Sequence, residues 1–210
     1  MPVSLAAALA DLVLPRCCVG CGRPGRSLCL RCRPLEVVRI DVAGLPVVAA
    51  GAYAGALRAA LIAYKERGRR DLAGPLGELL ATAVAVGPAA VLVPVPCAAR
   101  VARARGGDHV LRLARVAARR GACSVATPLR LGRPVQDSAG LGLVDRAVNL
   151  LNAMEAQAPP YPAAGAVVVD DIVTTGATLR EAARALDAAG WTVRGAAVVA
   201  ATERRTKAVS

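Results

Sequence analysis

The alternation of strand-like and helix-like segments after about residue 37 predicts an α/β fold: a Rossmann-like, mainly parallel sheet flanked by helices. Three observations carry that expectation. Short apolar runs rich in Val and Ala alternate with segments of helical period. One such run, Ala166–Val169, ends in two aspartates and a Thr/Gly loop, and two Cys-x2-Cys pairs stand ahead of the first strand. The implied organisation is a helix plus a small cysteine knuckle over residues 1–36 and an α/β domain over residues 37–210.

In chain order, the first 14 residues read as a short apolar helix, followed by a Cys/Gly/Arg/Pro-rich stretch to Pro34. Leu45–Tyr53 reads as a strand and Ala56–Glu66 as a helix. A basic link, Arg67 to Arg70, leads to a helix over Leu72–Val86. Ala90–Val95 reads as a buried strand. Asp108–Arg119 has helical period, with Val110, Leu113 and Ala117 inward and Arg112, Arg115 and Arg119 outward. Ser124–Thr127 is a short strand, Pro128–Leu143 a long polar loop and Val144–Met154 a helical piece. Strand Ala166–Val169, helix Thr178–Ala189 and strand Thr192–Val199 complete the domain.

The chemistry concentrates in Ala166–Thr178. The apolar run reads as a buried parallel strand, and open α/β sheets bind ligands at the carboxyl ends of their strands. Thr178 and Glu181 have the spacing of a capping box, which starts a helix there. The small residues between strand and helix leave backbone N–H groups free to surround a phosphate at a positive helix terminus. The adjacent Asp170 and Asp171 can accept hydrogen bonds from vicinal sugar hydroxyls or hold a divalent cation through its waters. A plain turn with solvent-facing aspartates needs neither the paired acids nor Thr-Thr-Gly-x-Thr. No GK[ST] follows, and no GxGxxG is present.

Seven cysteines occur, five of them within residues 17–32. Cys18-x2-Cys21 and Cys29-x2-Cys32 are spaced to surround one tetrahedral Zn²⁺, and four thiolates leave no open position for catalysis. Cys17 could replace Cys18 only by breaking the symmetric spacing. Disulfides or a redox dithiol are the competing readings, and a reducing cytosol disfavours structural disulfides.

The formal charge is +12, which suits polyanionic ligands, although arginine-rich and alanine-rich usage also follows genomic base composition. With Trp191, Tyr53, Tyr64 and Tyr161 as its only aromatics, the chain lacks a stacking platform for single strands. The amino terminus has no basic segment before its apolar run and carries Asp11, unlike a secretory signal. The uncharged stretch Ala81–Ala99 is broken by Gly87, Pro88, Pro94 and Pro96, so no membrane insertion is expected and the protein is read as cytoplasmic.

The segment Val167–Thr178 resembles the 5-phosphoribosyl-1-pyrophosphate (PRPP) motif of the type I phosphoribosyltransferases. That resemblance implies that Asp170 and Asp171 contact the ribose hydroxyls at the catalytic centre. It also implies that Val173, Thr174, Thr175, Gly176, Ala177 and Thr178 form the 5′-phosphate loop, with Mg²⁺ accompanying PRPP.

Joined in order, the cysteine pairs, Tyr53-x-Gly55-x-Leu57-Arg58 leading to Lys65, Val93-Pro-Val-Pro96, Arg100, Arg105-Gly106, Arg146-x-x-Asn149 and the PRPP motif resemble the ComF family, associated with DNA uptake in competent bacteria. The resemblance places Arg100, Arg105 and Gly106 at the pyrophosphate, and makes Pro128–Leu143 a flap with Arg146 and Asn149 at its base. It makes the protein a phosphoribosyltransferase with an unread nitrogen acceptor and structural Zn²⁺. The rival class is a non-catalytic protein of the same fold that binds single-stranded DNA or DNA-uptake proteins. Two positions depart from the family pattern. His109 stands where the family has Gln, as a hydrogen-bonding substitute or a general acid/base. Ser138 stands eight residues before Arg146, where the family has another Gln, with Gln136 two residues early.

Overall fold

A computed structural model describes residues 17–85, 91–104, 106–121, 123–132, 152–159 and 165–202. The expected amino-terminal helix, Arg105, Gln136, Ser138, Arg146, Asn149 and most of Pro128–Leu143 and Val144–Met154 lie outside these residues.

Strands β1 (Val38–Val42), β2 (Leu45–Ala49), β3 (Val91–Pro94), β6 (Gly165–Val173) and β7 (Thr192–Ala201) form one sheet in the order β1-β2-β7-β6-β3. Only β1 and β2 are antiparallel; the β2–β7, β7–β6 and β6–β3 pairs are parallel. The mainly parallel α/β architecture expected from the alternation is present. Strands β7 and β6, the two between β2 and β3, are largely apolar because both their faces are covered. Val167 and Val169 pack with α1 (Gly55–Glu66), α2 (Ala73–Ala85) and α4 (His109–Gly121), while Ala166 and Val168 pack with α5 (Ala177–Ala188).

Four elements differ from the sequence expectation. The hairpin strand β1 has no strong apolar alternation. It forms because Ala43 and Gly44 both take positive φ, 53° and 86°, giving a tight turn that the Asp41 carboxylate closes by accepting from the Gly44 N–H. The short helix α3 (Ala99–Ala104) lies in what reads as a loop. Ser124–Thr127 contributes a single bridge, Val125 to Leu92 on β3. Met154 opens a strand instead of ending a helix: β4 (Leu129–Leu131) and β5 (Met154–Ala156) pair as a separate two-stranded sheet.

The cysteine region is not a free appendage. Cys18 and Leu28 belong to the same buried cluster as Leu61, Leu76 and Leu113. Ser27 Oγ donates to the Asp71 carbonyl at 3.3 Å, and Arg33 reaches Glu78 on α2 at 2.8 Å. Glu78 also accepts from Arg120 at the end of α4.

Helices α2 and α4 pack closely at Gly77. A Cβ added at Gly77 would lie 2.4 Å from the Val116 Cβ. Overpacking of this kind costs about 1–3 kcal/mol, at least as much as the roughly 1 kcal/mol that alanine gains over glycine in a helix. Gly77→Ala should therefore lower the denaturant midpoint; an unchanged or raised midpoint would show that the helices separate freely.

Candidate functional site

Strand β6 is longer than its apolar run suggests, and both aspartates lie within it. Side chains alternate along a strand, so Asp170 turns toward the α5 face and Asp171 toward α1 and α4. Asp171 is 3% exposed. Its Oδ2 accepts from Lys65 Nζ at 2.9 Å and lies 3.0 Å from His109 Nε2, which donates to it in the tautomer protonated there. Lys65 comes from the last turn of α1 and His109 opens α4, so one carboxylate gathers two helix ends. Tyr64 donates its hydroxyl to the His109 carbonyl at 3.0 Å, beneath the same corner.

Burial alone would raise the Asp171 carboxyl. The His109 hydrogen bond and the Lys65 charge outweigh it and hold the group far below the usual carboxylate range. Asp170 goes the other way: burial and the Asp171 charge push it up to about 8, against the lowering pull of Lys65. The Asp171 N–H donates to Asp170 Oδ1 at 2.8 Å. His109 thus acts here as a hydrogen-bonding partner of a buried acid.

After Val173 the chain turns through Thr174 and Thr175 into Gly176, whose φ of 77° is left-handed and whose added Cβ would collide with Val42. Gly176 caps α5 without a side-chain bond, and Thr175 Oγ1 accepts from the Ala177 N–H at 3.3 Å. The first-turn amides of a helix have no partner within it, so those following Gly176 point at the loop. Thr174 is exposed, and Thr175, Ala177 and Thr178 are half-buried.

The capping box expected from Thr178 and Glu181 does not form. Glu181 is 5% exposed and accepts from the Met154 N–H at 3.0 Å, while Arg184 donates to Glu181 and to the Met154 carbonyl. The glutamate fastens β5 to α5 instead of capping the helix.

Because β3 pairs in parallel with β6, the chain after Pro94 emerges beside Asp170. It continues into α3, where Arg100 is exposed, and ends α3 on Gly106 and Gly107, with φ of 68° and 122°. Asp108 then caps α4 by accepting from the Leu111 N–H at 2.9 Å. The chain path thus sets the α3 segment that carries Arg100, and Gly106 after it, downstream of the carboxyl end of β3, the strand that pairs with β6. Lys65, Tyr64 and Arg112 belong to the same corner; from sequence, Lys65 stands only as part of the family pattern, Arg112 as outer face, and Tyr64 has no role. The basic patterning of α4 hid Arg112, whose Nη2 donates to the Gly106 carbonyl at 3.0 Å.

The Sγ atoms of Cys18, Cys21, Cys29 and Cys32 all lie within 4.8 Å of one another, with Cys21 and Cys29 3.7 Å apart. Zinc–sulfur bonds of about 2.3 Å in a tetrahedron put sulfurs about 3.8 Å apart, so donor set and spacing fit Zn²⁺. Cys17 stays outside the group, paired by backbone with Pro24. Gly20 makes the closure feasible: a Cβ there would lie 2.6 Å from Ala56 and 2.9 Å from Cys32 Sγ.

Residues 139–210 match the family model described as phosphoribosyl transferase domain. With the mainly parallel sheet, this gives the carboxyl-terminal part of the chain a phosphoribosyltransferase-type α/β fold. A solved structure described as Leishmania donovani UMP synthase superposes with a TM-score of 0.41 at 16% identity, over 69% of this chain. The superposition spans 24% of that protein's length. No curated protein matches the sequence. No described helix is long and apolar enough to cross a membrane.

Two outcomes follow. Purified protein should carry about one Zn²⁺ per chain, lost in Cys29→Ser/Cys32→Ser; metal-free protein that keeps its melting temperature would contradict the site. Since the Asp170 carboxyl titrates higher in the folded chain than its ordinary 3.8, its contribution to stability is complete below about pH 4 and lost as pH rises toward 8. Asp170→Asn should accordingly flatten the fall in melting temperature between about pH 5 and pH 8. Parallel curves for variant and parent would refute the assignment.

Proposed function

We propose that this chain is a ComF-like phosphoribosyltransferase that binds PRPP with Mg²⁺ at the carboxyl edge of β6 and transfers phosphoribosyl to a nitrogen acceptor. One observation carries the reading. Within the residues that match a phosphoribosyl transferase domain, two carboxylates end the central strand and run directly into a left-handed glycine at a helix amino terminus. The ordered four-cysteine cluster ahead of it supports the ComF-like form, with Zn²⁺ in a structural role.

In this reading Thr174, Thr175, Gly176 and Thr178 hold the 5′-phosphate through hydroxyl and amide hydrogens. Asp170 takes the ribose hydroxyls from the half-buried side of β6. Asp171, committed to Lys65 and His109, fixes the strand end and its charge balance, which is a positioning role. Arg100 and Gly106, with Arg105, face the diphosphate. The acceptor nitrogen forms a bond to C1 as the C1–O bond to diphosphate breaks. Diphosphate keeps the electron pair, and the acceptor's proton passes to solvent. Mg²⁺ would supply charge neutralisation for the leaving group. The protein's share is orientation and stabilisation of growing negative charge by preorganised amides and guanidinium groups. The charge of +12 supports single-stranded DNA or a DNA-uptake protein as a partner of the same chain.

The test is calorimetric titration of PRPP·Mg²⁺ together with pyrophosphate release across nucleobases and amines, with and without single-stranded DNA. Asp170→Ala should abolish binding while circular dichroism stays unchanged. Wild-type affinity in that variant would remove the assignment, and binding without release for any acceptor would leave a PRPP-binding protein in place of a transferase.

A further inference from the structure

Three cationic side chains from three elements, Lys65 of α1, Arg112 of α4 and Arg70 of the turn between α1 and α2, lie about the corner of Asp171 and Gly106, and Arg70 has no role in the site as described. The turn after α1 is a single 3-10 turn, Arg70–Leu72, pinned on both sides. Ser27 of the cysteine region donates to the Asp71 carbonyl, and the Asp71 carboxylate takes a two-pronged bond from Arg69, at 2.9 and 2.8 Å. Arg69 is thereby committed. Arg70, next to it, is exposed and has no carboxylate within salt-bridge distance among the described residues.

The Arg70 side chain nevertheless has a defined place. Its guanidinium occupies the space over Gly106: a Cβ added there would stand 1.6 Å from Arg70 Nη2 and 2.6 Å from Cζ. On the same dipeptide, Arg112 Nη2 donates to the Gly106 carbonyl and lies 2.9 Å from the Cβ position of Gly107. The one carboxylate in that loop, Asp108, is engaged by the Leu111 N–H as the cap of α4. Two guanidinium groups thus flank the exposed Gly106 and the half-buried Gly107, and among the described residues neither is in an ion pair with a carboxylate. Like charges so placed repel, and an anion between them relieves the repulsion. Glycines at both positions let a ligand approach the backbone closely. A planar guanidinium takes two oxygens of a phosphate at once, a geometry that a lysine does not reproduce.

We propose that Arg70 is a diphosphate contact, its guanidinium poised over Gly106 to receive an oxygen pair of the leaving group, and that Arg112 positions the loop beneath it. This rests on the PRPP reading and deepens it, adding a cation from a different element to those the family resemblance places there. It also gives the cysteine region a role in the site, since Ser27 holds the turn that presents Arg70.

The experiment compares wild type, Arg70→Gln and Arg70→Lys by calorimetry with two probes, inorganic pyrophosphate·Mg²⁺ and ribose 5-phosphate, alongside thermal melts. Arg70→Gln should bind pyrophosphate at least tenfold more weakly, with ribose 5-phosphate affinity unchanged within about twofold and the melt unaltered. Arg70→Lys should recover only part of the loss. Undiminished pyrophosphate binding in Arg70→Gln overturns the assignment, as does an equal loss for both probes, which would mark a purely structural effect. Wild-type protein that takes ribose 5-phosphate but not pyrophosphate overturns the diphosphate contact and leaves the phosphate loop standing. Wild type that takes neither probe nor PRPP removes the parent reading and this one together.

Discussion

A carboxylate almost sealed from water at the end of the central strand is the constraint on which the site depends. Asp171 cannot stay ionised there without compensation, and Lys65 and His109 supply it from two different helices. Removing both partners would strand a buried charge, which costs several kcal/mol, far more than a surface pair is worth. The geometry of three elements is thereby linked: α1 by its last turn, α4 by its first, and β6 by its end. Gly106 and Gly107, just upstream of α4, are held near this junction as well as by their bonds back to α3 and to Arg112.

The two aspartates illustrate how adjacency in sequence becomes separation in chemistry. On opposite faces of one strand they meet different surroundings, and their acidities part in opposite directions. One is a fixed anion serving the architecture. The other keeps a titratable proton near the ligand edge. A paired acidic motif need not mean two equivalent ligands, and here the division follows from burial and from the partners, Lys65 and His109, that only Asp171 engages.

Much of this was legible in the chain. The Val-rich run, the Thr/Gly loop and the cysteine spacing are local patterns with local causes, and each appears where its spacing puts it. Helices α1, α2 and α4 were found to within a residue or two because their apolar stripes are unambiguous. The failures share a cause, which is that a partner outside the element's own periodic pattern decides the outcome. Glu181 has capping-box spacing, yet Met154 and Arg184 capture it first. Arg112 lies on the polar side of an amphipathic helix, and only the return of the chain through Gly106 shows that this side faces the site. Strand β1 depends on its hairpin partner, not on its own composition.

The strand order carries a consequence for how the molecule comes into being. β7, the last strand of the sheet to leave the ribosome, is neither an edge nor an addition: it sits between β2 and β6 and pairs in parallel with both. Until it is made, the edges of β2 and β6 that border the gap have no strand to hydrogen-bond. The cysteine cluster, α1 and α2 can associate early through contacts close in sequence, whereas closure of the sheet waits on a long-range pairing that is intrinsically slow. The nascent chain thus spends its synthesis as a half-built sheet, a state exposed to aggregation and suited to chaperone capture.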